Sequence, residues 1–99
     1  MVRISVVTLP PSDDNSSHWR YHVEITESDG SGSETSHEVS MGKDYYMRLT
    51  DRRMIPEEFI KKSFEFLLAR ESRDSILQQF DISQINNYFP EYEKEIKKQ

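Results

Sequence analysis

The stretch FEFLLARESRDSILQQFDISQINNYFPEY, Phe64 to Tyr92, sets large apolar and aromatic residues among polar ones. Its first turns continue a pattern that begins at Phe59, in which apolar side chains recur every three or four residues. Pro56 stands at the start of this pattern, and the two glutamates that follow it carry charges that favour a helix N-terminus. The sequence therefore predicts a main helix that begins at Pro56 and lays an apolar stripe on a neighbouring layer.

The remainder of the stretch predicts shorter helices. Ser72 is placed to cap a helix that carries Ile76, Leu77 and Phe80. Asp81 and Gln84 have the spacing of a capping box, in which each side chain bonds to the backbone of the other residue. This box favours a second short helix, and a last helical turn is expected to follow the proline of YFPEY.

Three segments upstream have the features of strands. Val2–Leu9 is rich in β-branched residues and is followed by two prolines, while His18–Glu27 and Thr35–Met41 alternate in polarity. Between the last two lies SDGSGS, residues 28–33, whose glycines suit a turn. The second and third segments are therefore predicted to form an antiparallel hairpin, with the first strand beside it.

The register of this hairpin follows from its charges. Facing residues share a face when their numbers have an even sum, and a sum of 62 would set Glu24 opposite Glu38. A sum of 60 sets His22 opposite Glu38 and Trp19 opposite Met41, which leaves the inner face aromatic and aliphatic. We expect His22 and Glu38 to form an exposed cross-strand ion pair.

Together these patterns predict an α+β fold with a single domain over residues 1–99. Strands are expected within residues 2–42 and helices within residues 43–97, where Lys43–Leu49 forms a short helix ahead of the main one. The expected architecture is an antiparallel sheet of about three strands, packed by one main helix and two or three short C-terminal helices.

The composition excludes several classes of protein. The chain has no cysteine, which removes disulfide scaffolds and thiol chemistry. Its net charge of −5 disfavours nucleic acids and anionic membranes as partners. The N-terminal sequence has neither a signal-peptide pattern nor an apolar run long enough to span a membrane, so a cytoplasmic protein is expected.

The segments HEVSMGKDYYMRL, PEEFI and SFEFLLARESRDSILQQFDISQINNYFPEY together resemble a family of small bacterial proteins with no known activity. Members of that family share a strand that ends near a tyrosine helix, a Pro-Glu-Glu helix start and the pattern PEE…SFEFLL…SIL..FD…I..YFPEY. The likeness covers about His37 to Tyr92, over half of the chain. It implies no activity, cofactor or partner.

No group of residues carries a signature for catalysis, a cofactor or a metal. His18 and His22 stand about 13 Å apart along an extended strand, too far to hold one ion. The glycines of DGSGS lead into a strand and lack the lysine that ends a phosphate loop. A non-enzymatic protein with no cofactor and no small-molecule substrate is therefore favoured.

The surplus of aromatic residues predicts a partner-binding surface. Because a helix stripe buries one side of an element, Phe66, Tyr88 and Tyr92 are expected near the surface, where they suit another protein or self-association. Arg52 and Arg53, in the main basic concentration, extend this predicted site. The alternative is that the same aromatic residues fill one core or a self-dimer interface.

A second hypothesis is a nucleic-acid-associated regulator. Residues 72–89 resemble a helix, tight turn and helix, whose second helix would present polar side chains to base edges: Ser83, Gln84, Asn86 and Asn87. The phosphate anchors would be Arg52, Arg53, Lys61 and Lys62. The missing turn glycine and the surrounding acidic residues disfavour this hypothesis.

Overall fold

The structure of the chain is a computed structural model, which describes residues 2–10, 18–27, 34–51 and 53–97. Its helices and strands follow the chain from a strand-rich first half to a mixed second half. In chain order they are β1 (Val2–Leu9), β2 (His18–Glu27), β3 (Glu34–Gly42), α1 (Lys43–Thr50), α2 (Pro56–Leu68), a 3₁₀ turn (Arg73–Ser75), β4 (Gln79–Asp81), a second 3₁₀ turn (Ile82–Gln84), α3 (Ile85–Tyr88) and α4 (Tyr92–Ile96).

The strands form one mixed sheet in the order β1-β2-β3-β4. β1, β2 and β3 are antiparallel neighbours, whereas β4 runs parallel to β3. The predicted register of the hairpin is confirmed, because Trp19 faces Met41 and His22 faces Glu38. The turn predicted at residues 28–33 lies outside the described residues. The α+β class is therefore as predicted, with a sheet larger than expected.

One face of the sheet packs into the core. The alternation along β2 places Tyr21, Val23 and Ile25 on this face, where all three are buried. α2 begins at Pro56, as predicted, and contributes Phe59 and Phe64 to the same core cluster. The predicted short helix after β3 is also confirmed as α1. The helical half of the chain thus covers the apolar face of the hairpin.

The helix expected after Ser72 is wrong. The chain forms a single 3₁₀ turn there and then enters β4, so strands are not confined to residues 2–42. Phe80 is buried in β4 beside Val39 of β3, with its ring centroid 5.9 Å from that of Phe64. Pairing with β3 satisfies backbone groups that a short isolated helix would expose at its ends, and this tertiary gain overrides the local pattern.

Asp81 joins β4 to the second 3₁₀ turn. Its Oδ2 accepts a hydrogen bond from Ser40 Oγ of β3 at 2.7 Å, and its Oδ1 accepts from the Ser83 N–H at 3.0 Å. Gln84 Oε1 in turn accepts from the Asp81 N–H at 2.8 Å, which completes the predicted capping box. One aspartate therefore fixes both the neighbouring strand and the path of the chain beyond it.

The C-terminal segment packs against α2 at Ser63. Ser63 Oγ donates to the Phe59 carbonyl at 2.9 Å, so its only proton is committed. The hydroxyl of Tyr92, 2.6 Å from Ser63 Oγ, must therefore be the donor in that contact. Tyr92 is fully buried, and burial raises the pKa of its phenol above the ordinary value of 10.0.

The buried Tyr92 phenol predicts a loss of stability in alkali. Above about pH 10 the unfolded chain releases a proton that the folded phenol keeps, so the free energy of unfolding falls as pH rises, by up to about 1.4 kcal/mol per pH unit for one phenol. Urea unfolding from pH 8 to pH 11 should therefore show a shallower decline for Tyr92→Phe than for the natural chain. Equal declines would contradict the burial of an un-ionised phenol at Tyr92.

Candidate functional site

An apolar groove lies between the end of α2 and the segment from the first 3₁₀ turn to α3. It has a cavity volume of about 360 Å³, within the usual range for binding sites of roughly 300–1,000 Å³. We call it the apolar groove, and its apolar walls are formed by Leu67, Ile76, Leu77, Phe80, Ile85 and Phe89.

The rim of the apolar groove is open to solvent at two large side chains. Leu77 is 50% exposed and Tyr88 is 66% exposed, although most apolar residues around them are buried. Glu71, Ser75 and Gln84 supply the polar part of the lining. Exposed apolar side chains around an apolar depression are a feature of protein-interaction surfaces.

Hydrogen bonds to β3 hold the backbone beneath Leu77 in place. His37 is buried, and its Nδ1 donates to the Leu77 carbonyl at 2.7 Å, because a carbonyl oxygen can only accept. The Glu38 N–H donates to the Gln78 carbonyl at 2.7 Å, and Gln79 Nε2 donates to Glu38 Oε2 at 3.1 Å. These hydrogen bonds hold the backbone that carries the rim residue Leu77 in one position. A fixed backbone of this kind loses less conformational entropy when a surface is covered.

The chemistry of the apolar groove suits burial of apolar surface and offers little for catalysis. Glu71 is the one described lining residue with a carboxylate, and no described histidine lines the cavity. Within the described ranges, no cluster of three or more histidine, aspartate or glutamate side chains is arranged to hold a metal ion. The groove can accept an apolar side chain and pair with a cation at its rim.

The three predicted aromatic site residues differ in their exposure to solvent. Tyr88 is exposed, as expected, and stands on the rim of the apolar groove. The expectation of exposure is wrong for Phe66 and Tyr92, which are 9% and 0% exposed.

Phe66 is buried because two aromatic residues of the C-terminal segment pack against its ring. Its ring centroid lies 5.9 Å from that of Phe89 and 5.1 Å from that of Tyr92, both in edge-to-face geometry. The Arg70 guanidinium lies over the ring, 3.6 Å from its centroid. A helix stripe alone does not reveal such a cover, because it depends on where later segments fold.

Of the two predicted arginines, Arg53 does not join the apolar groove. Arg53 precedes the N-terminus of α2, and its backbone N–H and side-chain Nε both donate to the Thr50 carbonyl, at 2.9 and 3.1 Å. The groove lies at the other end of α2, about 20 Å away for a helix of 13 residues. Arg52 lies outside the described residues.

The outer face of the sheet carries a different ion pair from the predicted one. Arg20 Nη2 lies 2.8 Å from Glu38 Oε2, and the Arg20 hydrogen bond holds the pKa of Glu38 below its ordinary value. His22 instead lies 3.1 Å from Glu24 Oε1 on its own strand. The predicted contact between His22 and Glu38 is wrong although their register is right, because the longer arginine side chain reaches the carboxylate from the neighbouring position.

The helix-turn-helix proposed for residues 72–89 is also wrong, since β4 occupies the place of its first helix. Several of its proposed base-reading side chains are already bonded within the chain. Gln84 completes the capping box, Ser83 Oγ donates to Asp81 Oδ1 at 2.6 Å, and Asn86 Oδ1 accepts from the Glu93 N–H at 3.2 Å. These hydrogen bonds engage three of the four side chains that were proposed to read bases.

Sequence reasoning missed Leu77 as a rim residue of the apolar groove. The expected helix placed Leu77 beside Ile76 on a buried stripe, whereas in the irregular chain before β4 Ile76 is buried and Leu77 is exposed. No local pattern signals this difference, because it depends on the pairing of β4 with β3.

A scan against protein-family models, a search of curated proteins and a search of solved structures each found no match to this chain. The resemblance to a family of small bacterial proteins therefore stays a prediction. Among the described residues, no helix is long and apolar enough to cross a membrane.

The different environments of Phe66 and Tyr88 predict different costs of truncation. Phe66→Ala removes a buried ring and should lower the free energy of unfolding by about 3–5 kcal/mol. Tyr88→Ala removes an exposed ring and should change it by about 0.5 kcal/mol or less. Urea unfolding of both variants provides the measurement, and losses of equal size would show that the assignment of core and rim is incorrect.

Proposed function

We propose that this chain is a non-enzymatic cytoplasmic protein that binds another protein through the apolar groove, as an adaptor or a small regulator. The observation that carries the proposal is the pair of exposed side chains, Leu77 and Tyr88, at the rim of a cavity with apolar walls. The exposure of these two side chains adds nothing to the stability of the fold. A partner that covers them would remove apolar surface from water, which favours binding.

The expected gain is concentrated in a few contacts. Covering the exposed parts of Leu77 and Tyr88 would contribute about 1–2 kcal/mol each, before any apolar side chain of the partner fills the cavity. Tyrosine is enriched among the residues that dominate binding energies at protein interfaces. The hydrogen bonds that fix the backbone of residues 77 and 78 would also favour binding, because that backbone has less conformational freedom to lose.

The partner that fits is a protein segment with an apolar side chain and a positively charged neighbour. The apolar side chain would enter the cavity between α2 and α3, and the cation would face Glu71 at the rim. The net charge of −5 would also attract a basic segment during encounter.

A nucleic acid is the weaker alternative. The proposed reading residues lie in the second 3₁₀ turn and in the four-residue helix α3, and three of the four form hydrogen bonds within the chain. Lys61 and Lys62 share their side of α2 with carboxylates of Glu57, Glu58 and Glu65, so no basic surplus arises there.

Comparative capture from native lysate tests the proposal. Tagged natural chain, Tyr88→Ala, Leu77→Asp and Met47→Ala are used side by side, with and without nuclease, at low and moderate salt. Met47 is an exposed apolar residue of α1 outside the groove, and its variant serves as the matched control. We expect a protein that the natural chain and Met47→Ala capture equally and that both groove variants lose at least about tenfold, since about 1.4 kcal/mol corresponds to that factor.

The same comparison identifies the outcomes that contradict the proposal. Capture that the groove variants leave unchanged would show that the groove is not the binding surface. Recovery of material only in the absence of nuclease would favour the nucleic-acid hypothesis. Circular dichroism of each variant should match that of the natural chain, because the substituted side chains are exposed.

A further inference from the structure

The two edges of the sheet are protected to different degrees. β4 forms one edge with only three residues and runs directly into the Asp81 capping box. β1 forms the other edge with eight residues, all paired to β2 in an unbroken register from Val2 opposite Glu27 to Leu9 opposite Arg20. Among the described residues, none pairs with the outer edge of β1.

β1 lacks the features by which proteins usually prevent pairing at an edge. Such features include short strands, bulges, prolines and charged side chains. β1 is long and regular, has no proline within its length, and carries Arg3 as its one charged residue. The outer edge of its backbone presents hydrogen-bond donors and acceptors with the spacing of a β-strand. Another extended strand can pair with all of them.

A cleft with apolar and charged lining lies on the inner side of this edge. It has a volume of about 350 Å³ and lies between β1 and α2, with Ile4, Val6 and Ile55 as its apolar lining. Ile4 and Val6 are half-buried and Ile55 is exposed, because no further strand covers them. A strand added beside β1 would shield all three.

The charges of the cleft favour a second copy of the same chain. Along α2 the cleft carries carboxylates at Glu57, Glu58 and Glu65 and ammonium groups at Lys61 and Lys62. No described carboxylate forms an ion pair with Lys61 or Lys62 within one chain. A two-fold axis would bring the α2 helices of both copies to the same side of the joined sheet, where groups of opposite sign can pair.

We propose that β1 pairs antiparallel with β1 of a second copy, so that the sheet continues across a two-fold axis. In such a pair, residues on the inner face of one β1 strand face residues on the inner face of the other when their numbers have an even sum. A sum of 10 sets Ile4 opposite Val6 of the second copy in both directions and places Ser5 on the axis. This register sets the two half-buried β-branched side chains of β1, Ile4 and Val6, opposite each other.

Single cysteines test this register directly, because the chain has no cysteine of its own. Facing residues of an antiparallel pair have Cα atoms about 4.5–5.5 Å apart, a distance that a disulfide can span. Under mild oxidation, Ser5→Cys should form a disulfide-linked dimer on a non-reducing gel. Ser36→Cys is the matched control, since Ser36 is exposed on β3, two strands away from the edge.

We expect Ser5→Cys to cross-link at least about tenfold faster than Ser36→Cys, because pairing raises the local thiol concentration from micromolar to millimolar. In light scattering after size-exclusion chromatography, the natural chain should have the mass of a dimer. Ser5→Lys should have the mass of a monomer, since it sets two like charges opposite each other on an exposed position.

Three results would overturn the proposal. A natural chain that stays monomeric at submillimolar concentration would exclude the dimer, and equal cross-linking of Ser5→Cys and Ser36→Cys would exclude the edge. Dissociation of the dimer by Leu77→Asp but not by Ser5→Lys would place the second copy in the apolar groove instead. The β1 interface does not rest on the proposed function, because the groove lies at the other end of α2 from Ile55.

Discussion

The parallel pairing of β4 with β3 joins backbone segments about 41 positions apart in the chain, through contacts such as Gln79 Nε2 with Glu38 Oε2. This pairing carries Phe80 into the core against Phe64 and brings Asp81 to Ser40. Beyond β4 the chain turns at the Asp81 capping box and enters α3, which lines the apolar groove at the end of α2. The groove depends on this strand, because Phe80 and the residues on either side of β4 form much of its lining.

The same strand explains why the molecule has two different surfaces. β4 closes one edge of the sheet beside the apolar groove, whereas no strand among the described residues pairs with β1 at the other edge. The proposed function uses the groove for side chains of a partner, and the proposed dimer uses the backbone donors and acceptors of the β1 edge. Because the groove and Ile55 lie at opposite ends of α2, the two proposals are compatible with each other.

Features that depend on neighbouring residues were predictable from the sequence. These include the start of α2, marked by Pro56, the capping box, marked by the spacing of Asp81 and Gln84, and the hairpin register, marked by charge and alternation. β4 was not predictable, because three residues carry too little pattern and the contacts that stabilise it are distant in the chain. The burial of Phe66 and Tyr92 was missed for the same reason, since it depends on where residues 89–96 fold.

The pairing of β4 with β3 is tested most directly by nuclear Overhauser contacts in the natural chain. We expect contacts between the backbone protons of Phe80 and those of Val39, together with strong sequential contacts between Hα and the following amide proton over residues 79–81. Contacts between residues three apart over 73–80, without any between Phe80 and Val39, would indicate a helix at this position. That result would remove the strand, and with it the physical basis of the apolar groove.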